Sequence, residues 1–198
     1  MDIQAVIWDF GGVLVRTADH TERERLAQKL GISRQELETR IFDGDNRRRA
    51  QFGEVDGDAY LQEVAAEFGV PVEGLTAAFF GADTLDETLM AYIRGLRPRY
   101  KTGLLSNAMN NLRALLVTRY PVYDAFDEVI ISAEVGLMKP DIAIYSLAVA
   151  RLSVQSQRAV FVDDFLPNVE GARQAGLQGI HFQSREQTLA ELAALGVA

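Results

Sequence analysis

The sequence predicts an α/β protein, a doubly wound parallel sheet with a small α-helical domain inserted after its first strand. Three observations carry this. Five short, almost continuously apolar runs recur along the chain, the pattern of parallel strands covered on both faces. Amphipathic stretches separate the later runs, giving strand–helix alternation from about residue 94 to residue 198. Between the first and second runs the alternation stops, and residues 16–93 show mainly helical periodicity.

The first run, Ile3 to Trp8, reads as a buried strand, with Trp8 in the core. The insert follows, with apolar residues at helical spacing: Leu26 and Leu30; Tyr60, Leu61, Val64, Ala65 and Phe68; Leu85, Leu89, Tyr92 and Ile93. Gly31, Gly69 and Pro71 punctuate it. Gly103-Leu104-Leu105 is the second strand, and a helix carrying Leu112, Leu115 and Leu116 comes next. Val129-Ile130-Ile131 is the third, and Pro140-Asp141 opens a helix with Ile142, Tyr145, Ala148 and Leu152. Val160-Phe161-Val162 is the fourth, followed by a helix that Gly176 stops. Gly179 to Phe182 is the fifth. The expected domains are an α/β core of residues 1–15 and 94–198 and a helical domain of residues 16–93.

Composition narrows the function. The chain of 198 residues has 48% hydrophobic and 24% charged residues, ordinary for a globular protein. Its net charge of −8 argues against a nucleic-acid partner, which usually meets a basic face. No apolar run reaches the roughly 20 residues of a membrane helix, so no membrane partner is expected. Met1-Asp2-Ile3-Gln4 is not the basic start of a secretory signal, and there are no cysteines for disulfides or thiolate metal sites. The expectation is a cytoplasmic protein.

Four segments follow the ends of four strands: Trp8 to Leu14, Leu104 to Asn107, Gly136 to Asp141, and Phe161 to Asp164 with Asn168 beyond. Parallel strands deliver their C-terminal ends to one crevice, so Asp9, Ser106, Lys139, Asp163 and Asp164 should meet. Three carboxylates so placed repel one another unless a cation joins them. Oxygen ligands suit Mg²⁺, which also bridges to phosphate. Lys139 adds a compact positive charge, and Ser106 and Asn107 can donate hydrogen bonds. Positioning and charge neutralisation are what phosphoryl transfer requires. A carboxylate beside the metal can attack phosphorus and form an aspartyl-phosphate.

These motifs, in this order, resemble the haloacid dehalogenase superfamily, in a form with a Rossmann-like core and a helical cap inserted after the first motif. The form Asp9-Phe10-Gly11-Gly12-Val13-Leu14 is similar to a subgroup that includes glucose-1-phosphate phosphatases, and also resembles the phosphatase domain of soluble epoxide hydrolases. The resemblance implies a Mg²⁺-dependent phosphatase acting on a small phosphorylated metabolite, a sugar phosphate among the candidates. It makes Asp9 the nucleophile and the Gly11 carbonyl a metal ligand. Ser106, with Asn107 beside it, would bind the transferring group, and Lys139 would link phosphate and nucleophile. Asp164 would bind the metal directly, with Asp163 behind it or in the reverse arrangement, and Asn168 would brace their loop.

Phosphatases of the family usually carry a second aspartate where this chain has Gly11. Such a group protonates the leaving alcohol, help typically worth ~10²–10⁴-fold. The chain could favour leaving groups that need little protonation, such as a sugar 1-phosphate or an acyl phosphate. Another group could replace the acid, or the chain could be a weakly catalytic or non-catalytic phospho-ligand-binding module. Phosphonate cleavage would need a cap lysine, and the insert has only Lys29. Dehalogenation would leave Asp163-Asp164 unexplained. Of the remaining candidates, Arg47-Arg48-Arg49 reads as a solvated helix face and Arg16 as equally near to or away from the site. Phe52 and Tyr60 read as core, His20 and His181 as histidines without ligand spacing, and Gly12 as a tight turn.

Overall fold

A computed structural model describes residues 2–197. The chain runs β1 (Ala5–Trp8), β2 (Val15–Thr17), α1 (Thr21–Leu30), α2 (Arg34–Phe42), α3 (Asp45–Gln51), α4 (Gly57–Glu67), α5 (Val72–Phe80) and β3 (Asp83–Leu85). It continues with α6 (Glu87–Leu96), β4 (Lys101–Ser106), α7 (Leu112–Thr118), β5 (Glu128–Ile131), α8 (Ser132–Val135) and α9 (Ile142–Leu152). It ends with β6 (Ala159–Asp163), α10 (Leu166–Gln174), β7 (Gln178–His181) and α11 (Arg185–Ala194).

The five expected strands form one parallel sheet in the order β5-β4-β1-β6-β7. Strand periodicity sorts β1 between two layers. Val6 and Trp8 enter one apolar cluster with residues of α6, α7 and α11, while Ala5 and Ile7 enter another with α9 and α10. The later chain leaves β1 in the middle, with β4 on one side and β6 on the other. Such a switch point opens a crevice at the C-terminal strand ends.

The insert folds around its own apolar cluster, which includes Leu37, Ile41, Tyr60, Val64, Leu75 and Phe79. Tyr60 is core, and its hydroxyl donates to the Ile41 carbonyl at 2.6 Å. Gly31 ends α1 at φ 71°, and Asp56 caps α4 by accepting from the Asp58 and Ala59 N–H groups.

Two features differ from the sequence reading. Leu85 belongs to a two-stranded antiparallel ribbon, with Val15 opposite Leu85 and Thr17 opposite Asp83. Three-residue strands offer too few alternations to register in sequence. The helix that closes the insert's periodicity, α6, packs on the sheet rather than on α1–α5: Leu89, Met90, Ile93 and Leu96 all lie in the β1 cluster. Periodicity reports that a face is buried, not which body buries it.

Asp86 secures this junction. It caps α6 through the Leu89 N–H at 2.9 Å and receives Arg16 at 2.7 Å and Arg185 at 2.8 Å. Among the described residues, no helix is long and apolar enough to cross a membrane.

Candidate active site

The ends of β1, β4 and β6 and the loop before α9 bring Asp9, Ser106, Lys139, Asp163 and Asp164 together. Lys139 Nζ lies 2.9 Å from Asp9 Oδ1 and 2.6 Å from Asp163 Oδ2. All three groups are buried. Carboxylate oxygens of Asp9, Asp163 and Asp164 lie within 4.8 Å of one another.

Asp163 is fully engaged. Oδ1 accepts from the Phe165 N–H at 2.8 Å, and the Asn168 amide donates to both oxygens at 3.0 and 3.2 Å. Asp9 uses Oδ1 for Lys139 and the Phe10 N–H, which leaves Oδ2. Asp164 is exposed, and its carboxylate makes no hydrogen bond to another described residue. Its main chain is held by His181, whose Nε2 lies 2.9 Å from the Asp164 carbonyl oxygen. Sequence reasoning gave His181 no role. Its register opposite Asp163 on the neighbouring strand is visible only once the sheet order is known.

The electrostatics follow from burial. Three ionised carboxylates against one ammonium would leave two uncompensated negative charges, which favours retention of a proton. Burial pushes Asp9 up to about 7, with Asp163 adding to the rise and Lys139 opposing it. Burial, and then Asp163, also raises Asp164. For Lys139, burial favours loss of the proton, but Asp9 and Asp163 on either side outweigh it and hold the ammonium. The cluster therefore lacks positive charge, and its unengaged donors, Asp9 Oδ2 and the Asp164 carboxylate, are oxygens. A hard divalent cation fits this set.

Two glycines shape the site differently. Gly12 has φ +80°, and a Cβ there would sit 2.1 Å from Asp164 Oδ2. Its role is thus more than a tight turn: the missing side chain admits the Asp164 carboxylate. At Gly11 a Cβ would meet nothing within 4 Å. The place where a second aspartate would stand is open.

Ser106 ends β4 and is 5% exposed. The Asn107 side chain departs from expectation. Its Oδ1 accepts from the Lys139 N–H, and its Nδ2 donates to the Lys139 carbonyl, both at 2.9 Å. With both ends clamped on that backbone, the amide positions Lys139 rather than offering itself to a ligand. Gly171 lets α10 approach the same loop, since a Cβ there would lie 2.5 Å from the Pro140 carbonyl oxygen.

A cavity of about 1060 Å³ opens from these strand ends towards the insert. Gly11, Gly12, Ser106, Asn107 and Asp164 lie on its core wall, and His20, Arg23, Phe42, Arg47, Leu61 and Phe80 on its helical wall. Arg47, read from sequence as solvated, is half-buried there, whereas Arg48 and Arg49 are exposed. Arg16 also borders the cavity but is tied to Asp86. Lys29 is exposed and does not border it. A smaller cavity of about 480 Å³ has Arg47, Arg48 and Phe52 on one side and Lys139 on the other.

The insert is latched over the loop that follows Ser106. Asn110 accepts from the Gly57 N–H at 3.0 Å and donates to Asp56 at 2.8 Å. Asn111 donates to Asp58 at 3.2 Å, and Gln51 donates to the Asn107 carbonyl at 2.9 Å.

Comparison with known proteins agrees with this geometry. A family model described as haloacid dehalogenase-like hydrolase matches residues 3–176. A sesquiterpene phosphatase, astK, of Aspergillus oryzae is 26% identical over 196 residues, which span 96% of this chain and 94% of that protein. A HAD-like family hydrolase from Porphyromonas gingivalis superposes with a TM-score of 0.81 at 22% identity, covering 100% of both chains. The enzyme bt-2542 of Bacteroides thetaiotaomicron, solved with magnesium and inorganic phosphate, superposes with a TM-score of 0.77 at 20% identity over 92% of this chain and 96% of that one.

Proposed function

This chain belongs to the haloacid dehalogenase-like hydrolase family, and from that premise we propose that it is a Mg²⁺-dependent phosphatase that transfers the phosphoryl group of a small metabolite to Asp9 and then to water. The observation that carries the proposal is the convergence of Asp9, Lys139 and Asp164 at the mouth of an open cavity.

One carboxylate oxygen of Asp9 forms a bond to phosphorus as the bond to the leaving oxygen breaks, and that leaving oxygen keeps the electron pair. Water then attacks the phosphorus of the aspartyl-phosphate, and inorganic phosphate leaves as the carboxylate is restored. Lys139 orients Asp9 through Oδ1 and adds positive charge where negative charge gathers. The Ser106 hydroxyl donates to the phosphoryl oxygens. Asp9, Asp164 and the Gly11 carbonyl would hold Mg²⁺, with Asp163 behind them fixing Lys139. Bound there, the cation supplies neutralisation of phosphoryl charge. The magnesium and phosphate of the Bacteroides enzyme support this assignment.

The phosphatase named among the relatives supports the reaction. Phe10, Val15, Leu61, Val72, Phe80 and Leu112 border the cavity, which favours an organic body with apolar surface over a bare sugar. We place the limits of the helical cap at the β2–β3 ribbon rather than at residues 15/16 and 93/94, because α6 packs with the core.

The test is inorganic phosphate release from a panel of phosphate esters, with Mg²⁺ or with chelator, by wild type and Asp9→Asn. Mg²⁺-dependent release by wild type alone is expected; equal release by Asp9→Asn would defeat the proposal. The open position at Gly11 motivates a second reading, a ligand-binding module with negligible turnover. Wild-type turnover above ~1 s⁻¹ would dismiss it.

A further inference from the structure

Arg47 is the one member of its arginine run that turns inward. Its Nε and Nη1 are buried and have no hydrogen-bond partner. Its guanidinium lies 5.5 Å from the centre of the Phe42 ring. Arg49, two residues on, pairs with Glu54 at 3.2 Å in the open. A buried guanidinium without a partner is costly.

Its position suggests what offsets the cost. Arg47 borders both cavities, the one whose core wall carries Ser106 and Asp164 and the one that reaches Lys139. It therefore stands on the cap above the catalytic strand ends. The helical wall of the larger cavity holds two more buried nitrogens without partners, His20 Nδ1 and Arg23 Nε. Arg23 is only 7% exposed, and its other nitrogens are spent on Glu38, Thr17 and the Phe79 carbonyl. Of the carboxylates that border these cavities, Asp58 is engaged with Asn111, Asp83 with Thr17 and Asp141 with the Ala143 N–H, and neither Asp43 nor Asp164 makes an ion pair with Arg47.

We propose that Arg47 binds a second oxyanion of the substrate, carried on the part that leaves when phosphoryl transfer occurs. The inference rests on the phosphatase reading and narrows its substrate to phosphate esters that carry a second anionic group. A planar guanidinium matches carboxylate and phosphate alike. Arginine does not act as a general acid at neutral pH. Its charge nonetheless stabilises negative charge that builds on the leaving group. That is the help which Gly11 does not provide.

The source of the oxyanion is a neighbouring carboxylate or a second phosphate, and matched probes separate the two. The probes are hexyl phosphate, 2-phosphonooxyhexanoate and hexyl diphosphate, the last losing its terminal phosphoryl group to leave hexyl phosphate. Wild type, Arg47→Gln and Arg47→Lys are compared by KM and kcat. The expected result is that wild type prefers one of the probes with a second oxyanion group over hexyl phosphate by about 10–100-fold in kcat/KM. Arg47→Gln should collapse that ratio through a higher KM and a lower kcat, and Arg47→Lys should restore part of both. The same preference in Arg47→Gln as in wild type, or none in wild type, would overturn the assignment. Should wild type turn over no probe, Arg47 is tested by binding alone, and the phosphatase reading stands or falls on the wider ester panel. Calorimetric binding of the three probes to wild type and Arg47→Gln then decides Arg47 by the same ratio.

Discussion

At the scale of single residues, the site is governed by too little positive charge in a buried place. Asp9 sits near 7 because burial disfavours its ionised form and Asp163 adds repulsion. In the metal-free fold Asp9 keeps its proton after the unfolded chain, near 3.8, has lost it. Its contribution to stability is therefore greatest at low pH and is lost as pH rises through about 7. Mg²⁺ needs the carboxylate and so competes with that proton. The rise in melting temperature caused by Mg²⁺ should be small near pH ~5.5 and grow to a plateau above pH ~8. A pH-independent rise would contradict the assignment of Asp9 as a ligand. The two glycines give a paired test. Gly12→Ala drives a methyl group into the Asp164 carboxylate, whereas Gly11→Ala meets open space. Gly12→Ala should weaken Mg²⁺ binding by about 10–100-fold, and Gly11→Ala should leave it near wild type; titration calorimetry reads both.

At the scale of elements, Asp86 joins three pieces of structure: it caps α6 and receives Arg16 from the ribbon and Arg185 from α11. Burial tends to raise its pKa, but the Leu89 N–H, Arg185 and Arg16 outweigh that and hold it below the ordinary carboxylate value. Its stabilisation is thus present at neutral pH and fades as acid reaches the lowered value. Asp86→Ala should cost about 1–2 kcal/mol, mostly the lost cap, because both arginines remain partly solvated. Asp86→Asn keeps a capping oxygen and should cost less. Urea unfolding followed by the fluorescence of Trp8, the single tryptophan, measures both. An equal loss in the two variants would show that charge, not capping, dominates. The sheet strands were legible in sequence because each is a short apolar run, and four of the five are followed by a motif. The ribbon was not, since Val15 to Thr17 carries one buried residue and two more open ones. Arg47 was misread for a related reason. A charge run declares solvent on average, and which member turns inward depends on how α3 sits against Phe42.

At the scale of the molecule, the cap grips the loop that follows Ser106. Asn110 alone provides two of those bonds, to Gly57 and Asp56. Asn110→Ala should weaken docking by roughly 1–2 kcal/mol, a factor of about 5–30 in the open fraction. Hydrogen exchange in the first turn of α4 should quicken, and KM should rise more than kcat falls. Unchanged exchange would mean that Met109, buried in the cap's apolar cluster, holds the lobes without the latch. The meeting of Asp9, Lys139 and the acidic pair was legible because parallel strands end on one side whatever their order. The cavity above them was not, because its lining depends on how two separately folded layers are docked.

The ribbon has one more consequence. Thr17 and Asp83 face each other across it, so the chain enters and leaves the cap at nearly the same point in space. Sixty-odd residues can change between those two positions while the register of β1 stays untouched. A lineage could exchange one cap for another, or shorten it to a hairpin turn, and inherit the chemistry intact. Recombination at this doorway would acquire a new substrate in a single step, without rebuilding the strand ends beneath it.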